Sequence, residues 1–558
     1  MNKFAKKIKN DKSILTSSSS SRSQSLQDDD EVDTSDVQEL FLDQRLDHFS
    51  TYPSTNDSQP FTFAQRYFYT SRYTNNPRSH IRKNIQESSP TYAFICVGGE
   101  GPSMSKKVLT QHSPHCSGDM VSMASILSTE RNANVYIFAL EHRYYGESYP
   151  DFGQVSPVTN ENLRFLSSRQ ALEDLAHFIQ FVKKEYLVGV VDDVESVPFL
   201  TFGGSYPGML AAWSRLKYPH LVDAAVSNSA PLQVTLEFTE YMDVYANALS
   251  NPIVGGSQEC LDIIHSAHED LASQLSAALD ENDNETLEDI ANMFDICGGV
   301  DSLKVEKNVN SFLGDGLVFF DVQENDPHCD GDLCSIEKFC NNITESASTS
   351  KLSNIEILAR LSREMEGGQC KDISWEGMID FLSSDEAQVG GTRSWLWQTC
   401  TEVGFYQTCV VDSSCPFARG YHKLSDDLEI CERAFGIENP EQIVKDNVES
   451  TLTDYGGWNI RASNILSVNG DIDPWNSKSI ANNPAKDPDD MKKNNLQSYW
   501  SIGASHHFWT HGPVGSDGFG IMRTREVIYD WIISILQGEQ YSHLENASPL
   551  VSSSSEIE

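Results

Sequence analysis

The sequence contains no uninterrupted apolar run of about 18 to 20 residues, the length a membrane-spanning helix needs, so no membrane span is expected. It is also short of basic residues: 41 Lys and Arg stand against 81 Asp and Glu, a formal charge of -40 at pH 7. That balance repels nucleic acid and anionic membrane surfaces, and neither is an expected partner. No repeat of fixed period runs along the chain, which sets aside solenoids and propellers. The amino terminus, MNKFAKKIKNDKSILTSSSS, is basic but lacks the apolar segment of a signal peptide. The cysteine clusters lack paired C-x-x-C spacing, so they do not read as zinc ligands.

What is present points elsewhere. A chain of 558 residues exceeds what one hydrophobic core usually organises, so two domains, or one core with a large insertion, are expected. The 12 cysteines include clusters at Cys329, Cys334 and Cys340 and at Cys400, Cys409 and Cys415, which read as disulfides of open connectivity. Sequons at Asn56, Asn284, Asn342 and Asn546 are candidate glycosylation sites. Cysteines and sequons together favour a secreted or lysosomal/vacuolar location, against the reading of the amino terminus. A homodimer is left open.

Residues 1–36, a serine tract followed by DDDEVDTSD, read as a disordered tail, and 541–558 as a flexible one. Between them, apolar runs at 92–99, 134–142 and 197–204 alternate with a helical pattern at 167–186. Such alternation signals βαβ units and a parallel sheet. Past residue 230 the chain turns acidic, helical and cysteine-bearing. Apolar strand patterns ending in glycine return at 463–470 and 496–503, followed by an amphipathic helix at 521–537. The expected architecture is an α/β-hydrolase fold in two parts, 37–230 and 393–540, around an inserted helical lid at 231–392.

Three segments carry chemistry. FLTFGGSYPGMLAAW places Ser205 between a strand pattern and a helix pattern, where a nucleophile elbow projects a hydroxyl above a sheet. Proline stands at 207 where the second glycine of G-x-S-x-G belongs, and a serine here also reads as a simple helix N-cap. A hydroxyl needs a base, and the base an orienting acid, in the hydrolase order Ser, Asp or Glu, His. NGDIDPWN offers Asp471 and Asp473, of which Asp473, before a proline, is preferred. GASHHFW offers His506 and His507, with His506 preferred. Oxyanion donors are expected at the amide of Tyr206 and, in the glycine-rich VGGEGP loop, at the amide of Gly99 or Glu100. No GK[ST] follows that loop, which argues against phosphate binding. HSPHC (112–116) lies far from the histidine pair in sequence, so neither metal nor cofactor is expected.

These segments together resemble the serine peptidase family S28. The resemblance is carried by QRLDHF, QRYFYTSRY, GGEGP, ALEHRYYGES, LSSRQALEDLAHF, FGGSYPGMLAAW, WLWQTCTEVGFYQT, NGDIDPW and GASHH, spread over residues 40–535. GGEGP and WQTCTE are nearest its thymus-specific branch. The resemblance implies Ser205, Asp473 and His506 as the catalytic set, a helical insertion, and cleavage of peptide substrates beside proline near a chain end. The HFWTHGPVG segment departs from the family pattern. Trp395, Trp397 and Trp475 are candidates for a proline pocket, and Glu100 for capture of a terminal amine, although aromatics in these places also read as core. The competing functional readings are a lipase or esterase on the same fold and a non-catalytic binding protein.

Overall fold

The computed structural model describes residues 32–50, 62–74, 89–384, 387, 390–482 and 494–539. Most of the expected amino-terminal tail, the expected tail at 541–558, and the sequons at Asn56 and Asn546 lie outside the described residues. Among the described residues the strands are β1 (Gln38–Arg45), β2 (Thr62–Thr70), β3 (Thr91–Val97), β4 (Asn134–Leu140), β5 (Phe199–Gly204), β6 (Ala224–Asn228), β7 (Thr235–Glu237), β8 (Gly404–Tyr406), β9 (Ile465–Gly470) and β10 (Leu496–Ser501). By its contacts the chain divides into two compact units.

The first unit comprises the described residues of Asp28–Val234, Thr451–Asp471 and Lys478–Glu558. It is built on an eight-stranded sheet of order β1-β2-β4-β3-β5-β6-β9-β10. β1, β2 and β4 pair antiparallel, and every pairing from β4 to β10 is parallel. The central strands are buried along nearly their whole length, as YAFICV and NVYIFAL anticipated, because helices cover both faces of a parallel sheet. The chain leaves β3 toward β4 on one side and continues from β5 toward β6 on the other. The carboxyl ends of β3 and β5 therefore flank the crevice where open α/β sheets place their sites. This is the α/β-hydrolase fold. β1 and β2, unmarked by the sequence pattern, extend it as an antiparallel edge.

Several sequence motifs turn out to be buried ionic locks that fix the strand ends. Arg143, just past β4, donates through Nε and Nη2 to both carboxylate oxygens of Asp174 at 2.6 Å each, and through Nη1 to the carbonyls of Leu46 and Phe165. His48 meets the same carboxylate at 2.8 Å. Arg66 on β2 pairs with Glu141, whose Oε1 also accepts the amide of Met104. That second lock pins the far end of the glycine-rich loop leaving β3. Buried pairs of this kind give little net stability but are costly to break singly.

The second unit comprises Thr235–Ser450 and Ile472–Ser477. It is mainly helical, with long members at Gln258–Glu281, Ile336–Thr349 and Asn354–Met365, and a two-stranded parallel ribbon of β7 and β8. Ser257 and Ser353 cap two of these helices, the latter through a capping box with Glu356. Five disulfides, Cys260–Cys340, Cys297–Cys370, Cys329–Cys334, Cys400–Cys431 and Cys409–Cys415, staple it. Inside it His422, buried between Asp315 and Asp427 at 3.0 Å each, is pushed up to about 9, because the two carboxylates outweigh its desolvation.

This unit runs to Ser450, beyond the limit at 392 that composition suggested. The stretch WLWQTCTEVGFYQT begins just past that limit, in the part expected to belong to the α/β-hydrolase domain. Instead it forms the helix Thr392–Gln398 and then β8, which pairs with β7 in the second unit. The sheet resumes only at β9.

Candidate active site

Ser205 sits at φ 63°, ψ -132°, a conformation few residues other than glycine adopt, between β5 and the helix Tyr206–Lys217. The turn is forced by close approaches. A Cβ at Gly203 would meet the carbonyl of Pro207 at 2.2 Å, and one at Gly204 would meet the ring of His507 at 2.9 Å. The Ser205 amide donates to the Asn228 carbonyl at 2.9 Å. Its side chain makes no capping hydrogen bond, so the N-cap alternative fails. Pro207 lies in the first helical turn, where its missing N–H costs nothing, and Gly208 supplies the tight packing instead, against Asn228 and Ala230.

The glycine-rich loop stands beside this turn. At Gly98 a Cβ would clash with the Leu140 carbonyl at 2.5 Å, and at Gly99 with Pro207 at 2.3 Å, so neither position tolerates a side chain. Next to them the carboxyl of Glu100 faces the Ser205 hydroxyl, the Tyr206 amide and the His506 ring, each of which favours its ionised form. Its Oε2 is nevertheless buried without a hydrogen-bond partner of proper geometry. Burial dominates and pushes this carboxyl up to about 7. Tyr206 is anchored from the other side. His142 donates through Nδ1 to the Arg143 carbonyl, so its Nε2 accepts the Tyr206 hydroxyl at 3.1 Å. Burial lowers His142 to about 4 and keeps it neutral.

The two histidines divide their work. His507, at φ 42°, donates its amide to Ser229 Oγ at 2.8 Å, and its Nδ1 lies 3.2 Å from Thr510 Oγ1. Burial, and then the rings of His506, His115 and His511, hold it well below its ordinary range. It is a packing residue, whereas His506 lies within electrostatic reach of Glu100. Gly470, at the end of β9, closes on the carbonyls of Ala504 and Ser505, which fixes the turn before His506.

A second layer holds the histidine turn and was not read from the sequence. Asp119 Oδ2 accepts from Asn228 Nδ2 at 2.8 Å, and Asn228 Oδ1 accepts from Trp509 Nε1 at 2.8 Å. Asn228 thus ties the nucleophile turn to the histidine turn. Burial raises the Asp119 carboxyl to about 6. From outside, Arg525 donates to the carbonyls of Trp509 and His511. Gly118 lies so close that a Cβ would meet the Trp509 carbonyl at 2.1 Å. The Cys96–Cys116 disulfide fastens this segment to β3. HSPHC, far off in sequence, is therefore a neighbour in space: the His115 ring lies 5.6 Å from that of His507. Asp119→Ala would orphan the buried Asn228 amide and loosen the turn, and kcat is expected to fall about a hundredfold. Asp119→Asn, which keeps an acceptor, is expected to stay near wild type in steady-state assays.

Of the remaining candidates, Asp471 accepts the Gly503 amide at 2.6 Å and is a turn residue. Asp473 belongs to the second unit, where it is fully buried and its Oδ1 accepts the Trp475 amide at 3.0 Å. Trp475 stands among Phe238, Tyr241 and Phe405, with centroids 5.2 to 5.6 Å away, and donates Nε1 to Gln323 at 2.8 Å. Those three partners carried no sequence signal beyond being aromatic. Trp397 packs on Phe435, and Trp395 is half-buried on the same helix. Of the described sequons, Asn284 is exposed, while the Asn342 amide oxygen is held by Arg360 at 2.7 Å.

A strained serine at the end of a parallel strand of an α/β-hydrolase sheet, with the Glu100 carboxyl beside it, defines the class as a serine hydrolase. The sequence profile of the family described as serine carboxypeptidase S28 matches residues 44–528, and the chain belongs to that family of serine-type peptidases. It is similar to the thymus-specific serine protease of Mus musculus, 33% identical over 431 residues, covering 75% of this chain and 76% of that protein. A putative serine protease of Caenorhabditis elegans, K12H4.7, is 30% identical over 452 residues, covering 78% and 77%. The lysosomal Pro-X carboxypeptidase of Homo sapiens is 26% identical over 450 residues, covering 79% and 78%.

Proposed function

We propose that the chain is a serine exopeptidase that cleaves peptide bonds near a chain terminus, beside proline, through an acyl-enzyme. The observation that carries this reading is the forced, uncapped geometry of Ser205 beside the Gly99–Glu100 loop. In it, Ser205 Oγ attacks the carbonyl carbon while His506 takes the hydroxyl proton. The oxygen that gains the charge is held by the amide of Tyr206 and one from the Gly99–Glu100 loop. His506 then returns the proton to the leaving amine, and water releases the acyl group by the same route. By the hydrolase order Ser, Asp, His, Asp473 is the acid assigned to this set.

The preference for proline rests on the name of the Pro-X carboxypeptidase relative and on the aromatic group around Trp475, a flat apolar wall suited to a pyrrolidine ring. Six disulfides and the exposed sequon at Asn284 support work in an oxidising compartment, secreted or lysosomal/vacuolar, with Asn284 as the favoured glycan site. The test is mass-spectrometric mapping of products from peptides carrying proline next to either end. Release of one or two terminal residues at proline is expected. Internal cleavage alone, or hydrolysis of acyl esters with no peptide turnover, contradicts it.

A further inference from the structure

Glu100 is a carboxyl placed at the reacting atoms with no assigned task. The glycine contacts at positions 98 and 99 leave it no freedom to retreat, and its carboxyl faces Ser205, Tyr206 and His506. Its Oε2 is out of water and takes no hydrogen bond. A terminal amine two residues from the scissile bond would sit about 7 Å off along an extended peptide, so a group at the nucleophile itself is badly placed to capture it. It is well placed for the oxygen that becomes negative in the tetrahedral intermediate. A carboxylate there would repel that oxygen, whereas a carboxyl that keeps its proton offers a donor.

Resting on the serine-hydrolase reading above, we propose that Glu100 is a catalytic residue that works protonated, its O–H joining the Tyr206 amide at the oxyanion, and that its ionisation shuts the site down. No proton leaves Glu100 in the cycle. The proton in flight passes from Ser205 to His506 and on to the leaving amine, while Glu100 lends only a hydrogen bond.

The surroundings agree. The elbow contributes an uncharged hydroxyl and amide, and His142 behind Tyr206 is neutral because burial lowers it. From the histidine turn, His506 faces Glu100, while its neighbours His507 and His115 are held below their ordinary range by burial and by His506. Burial prevails at Glu100 and places its titration at about 7. A group needed in its neutral acid form is available below that pH and lost above it. Rates should therefore hold near pH 6 and fall about tenfold per pH unit above 7.

The experiment is the second-order rate of labelling by a fluorophosphonate from pH 5 to 9, which needs no knowledge of the natural substrate. Wild type should show the alkaline fall. Glu100→Gln, always neutral and still a donor, should label without it. Glu100→Ala should label at least about tenfold more slowly at pH 6. A wild-type profile flat from pH 6 to 9 would overturn the proposal without any variant. So would an alkaline fall retained in Glu100→Gln, or Glu100→Gln as slow at pH 6 as Glu100→Ala. Wild type that takes no label at any pH points instead to failure of the serine-hydrolase reading beneath it.

Discussion

Ser205→Ala is expected to abolish turnover of proline peptides, lowering kcat on the order of a millionfold while leaving the protein folded. The size of the loss follows from the role: an acyl-enzyme cannot form without the hydroxyl. Folding should survive, because the Ser205 side chain caps nothing and its structural bond to Asn228 runs through the backbone amide. Steady-state kinetics with a circular dichroism control separate the two effects. Turnover within about tenfold of wild type would remove Ser205 from the mechanism.

The second large effect concerns the adjacent histidines. His506→Ala should lower kcat by a factor on the order of ten thousand or more, since the hydroxyl then has no base. His507→Ala should act on stability. Its ring fills the space above Gly204 and meets Thr510, so its loss is expected to cost about 1 to 3 kcal/mol in a denaturant titration. Reversal of the two phenotypes would show that the wrong imidazole has been assigned. Under the proposed assignment of Asp473 as the acid of the set, Asp473→Asn should resemble His506→Ala more closely than His507→Ala.

Much of this was legible in the residues. Strand patterns at 92–99, 134–142, 197–204, 463–470 and 496–503 became β3, β4, β5, β9 and β10 with ends shifted by a few residues, and the helix expected at 521–537 became Phe519–Leu536. They were readable because buried parallel strands are continuous apolar runs and their loops begin at glycine. The elbow was readable despite Pro207, because strand, GGS and helix formers are adjacent in the chain.

What escaped depends on long-range contact. Asp119 and Asn228 look ordinary in sequence, and only the fold brings them onto the histidine turn. His115 lies nearly 400 positions from His507, yet the Cys96–Cys116 link and the tight approach at Gly118 bring the two segments together. Cysteine pairing could not be chosen among the many connectivities 12 thiols allow. The helical unit was drawn to 392 and runs to Ser450, because its limit was taken from acidic, cysteine-bearing composition, which does not report where the packing of a unit ends.

Peptide mapping after reaction with a fluorophosphonate tests the central claim most directly. A single adduct on the peptide that contains Ser205, blocked by prior acid unfolding of the protein, is the predicted result. An adduct on another serine, or a folded protein that takes no label, would contradict it.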